Sequence, residues 1–335
     1  MRCPQTRAVS AFSYSGGAAD ADLQALVLWR SLYEEARHCL SGASRESEAS
    51  AETSASAEDP AASEGAGGAD EARRLVEAAS GAAPAEFHRI LDEPATERTA
   101  AHFYTMLQRR MSGEPLQYVV GSWGFRSLEL MIDRRVLIPR PETEVVAGWA
   151  IKEAAQRVGG VAAGRQVTVV DLGTGAGAIG MSVAVECSRA RVYASDVSPD
   201  ALAVARANLA GLGRAAARVT LHQGDWFEAL PGRLRGTIDV IVSNPPYVAA
   251  GEKLPSVVAD WEPLTALRSG PTGAEALQQV VKGASQWLRA GGALITEAAA
   301  QRARESAEIF TAAGFSEVRV EPDLAGRDRV VLGRL

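Results

Sequence analysis

Residues 167–180 read Val-Thr-Val-Val-Asp-Leu-Gly-Thr-Gly-Ala-Gly-Ala-Ile-Gly. A run of β-branched residues ends in an acid, then in glycines at alternate positions, and an apolar helix-forming stretch follows. Branched side chains favour strands, and glycines let a chain turn tightly and approach a ligand closely. The stretch is therefore a strand, 167–171, passing through a glycine-rich turn into a helix that starts near 178. Such a turn alone is weak evidence, because dinucleotide-binding folds and plain tight turns use one too. The spacing is more informative. Gly173, Gly175 and Gly177 give G-x-G-x-G rather than G-x-G-x-x-G, and Asp171 opens the turn. That form is typical of S-adenosylmethionine sites, where no pyrophosphate needs the helix N-terminus.

The next strand ends Arg191-Val-Tyr-Ala-Ser-Asp196. Its carboxylate lies close to the ~20-residue offset expected of a ribose-binding acid. It suits two hydroxyl donors and repels a 2′-phosphate. A third strand end, Gly224-Asp225-Trp226-Phe227, offers an acid and an aromatic where an adenine would lie; core packing explains a tryptophan there equally well. The candidate cofactor contacts are thus Asp171, Gly173, Thr174, Gly175, Ala176, Gly177, Asp196, Asp225 and Trp226, joined by Asn244 below. Asp171 is placed to hold water or the amino group of the cofactor's methionine part.

Outward from the glycine turn, the chain alternates. A helix at 142–157 precedes strand 167–171. Strands at 191–195, 218–222, 238–243 and 293–297 are separated by helices near 178, at 199–210 and at 273–289. A helix at 301–313 leads to strands near 317–321 and 328–333. Near-continuous apolar strands alternating with helices mean a mostly parallel α/β sheet covered on both faces. The last two strands are joined without a helix, so one runs antiparallel.

The N-terminal part differs. Leu26, Trp29, Tyr33, Ala36 and Leu40 recur at helical spacing within 20–40, and helices are expected again at 71–80, 84–91 and 97–111. Between them, Ser41–Asp70 holds no Leu, Ile, Val or aromatic residue and cannot bury a face. The expected organisation is a structureless N-terminus at 1–19, a helical substrate-binding domain at 20–116 with a disordered insertion at 41–70, a β-hairpin linker at 117–139, and the sheet domain at 140–335. Within the linker, Tyr118-Val-Val, Leu128-Glu-Leu-Met-Ile and Val136-Leu-Ile read as short strands. Arg2 and Arg7 with several serines and no acid give residues 1–19 a faint likeness to a transit peptide; simple disorder is the favoured alternative.

Strand 238–243 ends in Asn244-Pro-Pro-Tyr247. Proline fixes φ, and a residue before proline is held extended, so this corner is stiff. It shares the carboxyl edge of the sheet with the glycine turn, where open α/β sheets bind ligands. The Asn244 side-chain oxygen and the corner's backbone carbonyls can together accept both N–H bonds of a planar amino group, with Tyr247 above it. An amide nitrogen is a poor nucleophile because its lone pair is delocalised. Two accepted hydrogen bonds enrich it, and holding it beside a methyl donor supplies proximity worth ~7–11 kcal/mol in ideal intramolecular cases.

Composition narrows the class. A net charge of −6 argues against a general affinity for nucleic acid backbones. Cys3, Cys39 and Cys187 lie far apart, and with four scattered histidines they give no metal-ligand spacing, pointing to a reduced cytoplasmic protein without a structural metal. No apolar run approaches the ~18 residues of a membrane span.

At this point the chain resembles a known family, the protein-(glutamine-N5) methyltransferases of peptide chain release factors. The stretches that carry the likeness are Arg110 with Gly113-Glu-Pro-Leu-Gln-Tyr-Val-Val-Gly121, Leu137-Ile-Pro-Arg-Pro-Glu-Thr-Glu144, Asp171-Leu-Gly-Thr-Gly-Ala-Gly177, Asn244-Pro-Pro-Tyr247, Trp261-Glu-Pro-Leu-Thr-Ala-Leu267 and Asp323-Leu-Ala-Gly-Arg-Asp-Arg-Val330. They span about residues 70–335. The resemblance implies a class I S-adenosylmethionine-dependent methyltransferase fold, with a seven-stranded, doubly wound sheet, an N-terminal helical domain and a hairpin linker. It implies methylation of the glutamine in the Gly-Gly-Gln motif of class I release factors by a monomer. Asn244 and Pro245 would hold the glutamine amide, Pro246 and Tyr247 would complete its pocket, and Arg140 and Glu142 would brace it. Three features depart from the family: the 41–70 insertion, Gly270-Pro-Thr-Gly-Ala in place of a glycine-and-acid turn, and Glu297-Ala-Ala-Ala, which lacks the glycine that often follows that acid. The last two are expected near the cofactor. The competing readings are an adenine N6-methyltransferase, which would grip a flipped base with the same corner, and a degenerate domain that binds without turnover.

Overall fold

A computed structural model describes residues 27–51, 67–160 and 166–335. Two compact units divide at Val120/Gly121. The expected disorder of 1–19, the part of the first helix before Val27, and residues 52–66 of the insertion lie outside the described residues.

The first unit is helical: α1 (Trp29–Ala51), α2 (Gly68–Ser80), α3 (Phe87–Ile90), α4 (Glu97–Met111) and α5 (Leu116–Val120). Trp29, Leu32, Ala36 and Leu40 of α1 share a core with Leu75 and Val76 of α2 and Phe103, Met106 and Leu107 of α4. Tyr33 is half-buried at its margin. The flanks of the expected insertion are helical, since α1 runs on to Ala51 and α2 begins at Gly68.

Tyr118-Val-Val is helix α5, not a strand. Its β-branched valines mislead: the Pro115 carbonyl accepts from the Tyr118 and Val119 amides at 3.0 and 3.1 Å and starts a helical turn. Arg109 caps its other end by donating to the Tyr118 and Val119 carbonyls, while a bidentate pair with buried Glu114 holds the guanidinium. Arg110 grips Glu71 with two bonds of 2.8 Å, tying α4 to α2. The 110–121 stretch is thus built for packing helices.

The second unit begins with a hairpin, β1 (Ser122–Phe125) and β2 (Leu128–Met131), then α6 (Pro141–Gly160), β3 (Val167–Leu172), α7 (Ala178–Glu186), β4 (Ala190–Asp196), α8 (Pro199–Ala210), β5 (Val219–Gln223) and β6 (Ile238–Ser243). Short helices α9 (Ser256–Ala259) and α10 (Leu264–Leu267) precede α11 (Glu275–Trp287), β7 (Leu288–Glu297), α12 (Ala303–Ala312), β8 (Ser316–Pro322) and β9 (Asp328–Arg334). Val136–Ile138, expected as a strand, is irregular chain that lines the cleft of the sheet unit. The hairpin belongs to this unit rather than standing apart as a linker. The Asn208 side chain on α8 accepts from the Met131 amide at 2.7 Å and donates to the Met131 and Ala176 carbonyls at 3.0 and 2.9 Å, joining hairpin and glycine turn.

Seven strands form one sheet in the order β5-β4-β3-β6-β7-β9-β8, with β9 antiparallel to both neighbours. The apolar side chains of β3 and β6 are fully buried, as a sheet covered on both faces requires. From β3 the chain winds outward through β4 to β5, then returns to lay β6 against the other side of β3. That reversal opens a crevice at the carboxyl ends of β3 and β6, where doubly wound sheets bind ligands.

Candidate active site

The glycine turn leaves β3 at Leu172. Gly173, Gly175 and Gly177 have φ of 69°, 56° and 90°, a region that β-carbons disfavour. A β-carbon at Gly177 would also lie 2.3 Å from Cε of Met181. Asp171 sits beneath the turn. Its Oδ2 accepts from the Thr174 hydroxyl at 2.6 Å and the Gly180 amide at 2.9 Å, pinning the turn to the first turn of α7. Burial pushes this carboxyl up to about 6, against the pull of those two donors. Its Oδ1 is buried and accepts no hydrogen bond from the described residues. Asp171 does not line the cleft; Gly173, Thr174, Gly175 and Ala176 do. Gly177 is the N-cap of α7 and buried.

Asp196 ends β4 on the facing wall. It accepts from the Gly175 and Ser198 amides, each at 2.9 Å, and burial raises its carboxyl above the usual range against those bonds. Beyond β5, Asp225 and Trp226 line the same cleft. Trp226 holds the strained φ of 40°, and a β-carbon at Gly173 would lie 3.6 Å from its ring. The indole also packs on the main core, the second of the two expectations for it. Val197, 59% exposed, adds a bare apolar side chain to the wall.

The fourth wall is the β6 corner. Ser243 donates to the Leu172 carbonyl at 2.8 Å, locking the two strand ends together. Asn244 and Pro246 face the glycine turn across the cleft. Asn244 Nδ2 donates to Thr143 Oγ1 at 3.3 Å, and that hydroxyl donates to Glu297 Oε2 at 2.6 Å. Beyond the corner, the Val248 amide donates to the Leu267 carbonyl and the Ser269 amide to the Val248 carbonyl, and the Arg268 guanidinium donates to the carbonyls of Ala249, Ala250 and Glu252. The corner is fastened on both sides.

Pro245 and Tyr247 point elsewhere. They line a second, small cavity with Gly273, Ala274, Glu297, Ala298, Ala299 and Arg302. Both residue-level departures from the family lie there, not on the cofactor side as expected. The Gly270–Ala274 turn regains an acid from Glu275, which accepts from the Thr272 and Gly273 amides at 2.9 Å each. Arg140 reaches buried Glu262, which also accepts from the Ile138 amide at 3.1 Å. Glu142 accepts from Arg327 at 2.7 Å, and Arg327 is held by Asp323 at 2.9 Å. Three of the quoted stretches thereby converge on one brace.

A family model described as the methyltransferase small domain matches residues 160–261, and one described as the PrmC N-terminal domain matches residues 63–121. The release factor glutamine methyltransferase of Cereibacter sphaeroides is 40% identical over 269 residues, 80% of this chain and 91% of that protein. That of Moorella thermoacetica is 40% identical over 245 residues, 72% of this chain and 82% of that one. The chain belongs to the release factor glutamine methyltransferase family. A solved release-factor-specific protein-(glutamine-N5) methyltransferase from Alicyclobacillus acidocaldarius is 27% identical, covers 59% of this chain and 93% of that chain, and superposes with a TM-score of 0.35.

The enzyme is therefore a methyltransferase whose donor is S-adenosylmethionine. The cleft fits that group: Asp196 offers acceptors for vicinal hydroxyls, and Trp226 and Val197 offer apolar faces. Thr143, Val197 and Glu297 were not singled out as site residues from sequence. Thr143 and Glu297 stand 154 residues apart, and nothing in either neighbourhood announces the contact. The weak signal was that each sits inside or at the edge of a stretch already marked.

Proposed function

We propose that this methyltransferase modifies the side-chain nitrogen N5 of the glutamine in the Gly-Gly-Gln motif of class I release factors, in the cytoplasm. One observation carries the choice of a planar amino group as acceptor, and the names of the relatives support glutamine as its bearer. Asn244 spends its Nδ2 on Thr143 at the carboxyl end of β6, so its Oδ1 is the end left to accept from a substrate amino group. S-adenosylmethionine supplies an electrophilic methyl carbon on a sulfonium. The chain supplies the rest. Gly173 to Gly177 and Asp196 hold the donor's amino-acid and ribose parts, Asp225 and Trp226 its base, and Asp171 keeps the turn in shape. Asn244 Oδ1 and the Pro245 carbonyl accept the two N–H bonds of the substrate amide, enriching its nitrogen while the lone pair is turned to the methyl carbon. Pro246 walls the corner on the cleft side and Tyr247 on the side of the small cavity. Arg140 and Glu142 brace it through Glu262 and Arg327.

Purified enzyme incubated with labelled methyl donor and either a release factor or adenine-containing oligonucleotides tests this reading. Label confined to the glutamine-bearing peptide, located by mass mapping, is the expected result. Label on the oligonucleotide and none on the protein would replace the reading with base methylation.

A further inference from the structure

We infer that Thr143 and Glu297 are positioning residues that set which end of the Asn244 carboxamide faces the substrate. The inference rests on the glutamine reading and deepens it. A carboxamide in a cleft has two orientations of nearly equal shape, and here only one is productive: Oδ1 toward the substrate accepts its N–H bonds, whereas NH₂ toward it sets donor against donor. Proton direction makes the choice. A hydroxyl carries a single proton and an ionised carboxylate accepts only. Thr143 gives its proton to Glu297 Oε2 at 2.6 Å and therefore presents lone pairs to Asn244, whose Nδ2 lies 3.3 Å away. Thr143 and Glu297 are 5% and 2% exposed, so water has little access to rearrange these bonds.

The device has a second state. A protonated Glu297 can donate to Thr143, which can then turn its own proton toward Asn244 and favour the reversed amide. The charges facing Glu297 are Arg329 on β9 and Arg140 ahead of α6, which favour the carboxylate, and Glu142 on α6, which opposes it. Arg302 and Glu305 line the same small cavity. Burial raises the Glu297 carboxyl to about 7, so both states fall within the working pH range. Turnover should rise with pH as Glu297 ionises.

The test measures kcat and KM for the release factor from about pH 5.5 to about pH 9 in wild type, Thr143→Ser, Thr143→Val and Glu297→Gln. Melting curves and donor affinity are taken alongside. Thr143→Val is expected to lower kcat by about tenfold or more, the equivalent of one directed hydrogen bond, with donor affinity unchanged. Thr143→Ser should keep most of the activity, and Glu297→Gln should lose the acid limb of the profile. Wild-type kcat in Thr143→Val, equal losses in the Ser and Val variants, or an acid limb that survives in Glu297→Gln would overturn the inference. Where Glu297→Gln fails to fold, the Ser/Val pair decides. A wild-type enzyme that leaves the release factor unmethylated would strike the glutamine reading itself, a result distinct from methylation that ignores Thr143.

Discussion

At the scale of single residues, the site depends on geometry that few other side chains can supply. Asn244→Ala keeps the glycine turn and the Asp196 wall intact, so donor affinity should fall far less than turnover. Turnover should fall by about 10²–10³, as when one preorganised partner of a reacting group is removed; single-turnover rates with donor affinity by calorimetry check both halves. Gly177→Ala faces two costs together, a φ of 90° and the Met181 methyl 2.3 Å from the new carbon. A loss of about 1–3 kcal/mol in stability, read from denaturant melts, is expected together with weaker donor binding. Glycines and the Asn-Pro-Pro-Tyr corner were legible in the sequence because their chemistry is local: a positive φ or a fixed φ belongs to the residue itself. Thr143 and Glu297 were not legible, because an ordinary threonine and an ordinary glutamate acquire their roles from a contact made only in the folded chain.

At the scale of elements, α8 starts and stops at residues 199 and 210 as expected, because Ser198 accepts from the Ala201 amide and Pro199 suits a first helical turn. The central strands were equally plain, since burial on both faces leaves unbroken apolar runs. Three elements resisted. β1 is four residues long and contains Gly124, too short to show alternation. α5 carries valines that favour strands in isolation. Val136–Ile138 lines the cleft, a role that calls for apolar side chains without calling for a strand. Asp171, expected to touch the cofactor, lies beneath the turn and off the cleft lining. Among the elements of the helical unit, the core draws on Trp29, Leu32, Leu75, Phe103 and Met106. Residues 52–66 hold no large apolar side chain to add to it. Replacing them with a short Gly/Ser link should leave the melting temperature of the full chain unchanged; a clear drop in calorimetry would show that the segment packs.

At the scale of the whole molecule, two buried acids set an opposition between stability and activity. Asp171 and Glu297 have folded-state values of about 6 and about 7, above their ordinary ones. A carboxyl whose value is raised by folding contributes most when protonated, and that contribution is lost as pH rises through the folded value. Stability from these two groups is therefore greatest near pH 4 and declines up to about pH 7, by something of the order of 1–3 kcal/mol for each. Glu297→Gln should consequently gain melting temperature relative to wild type as pH is raised from about 5 to about 8, which parallel thermal scans will show. The Asn208 clamp has a different consequence. One carboxamide holds the second strand of the hairpin with two bonds and the glycine turn with a third, so the two cannot shift independently. Whatever tugs on β2 pulls the floor of the donor berth with it, a mechanical coupling that runs through a single side chain.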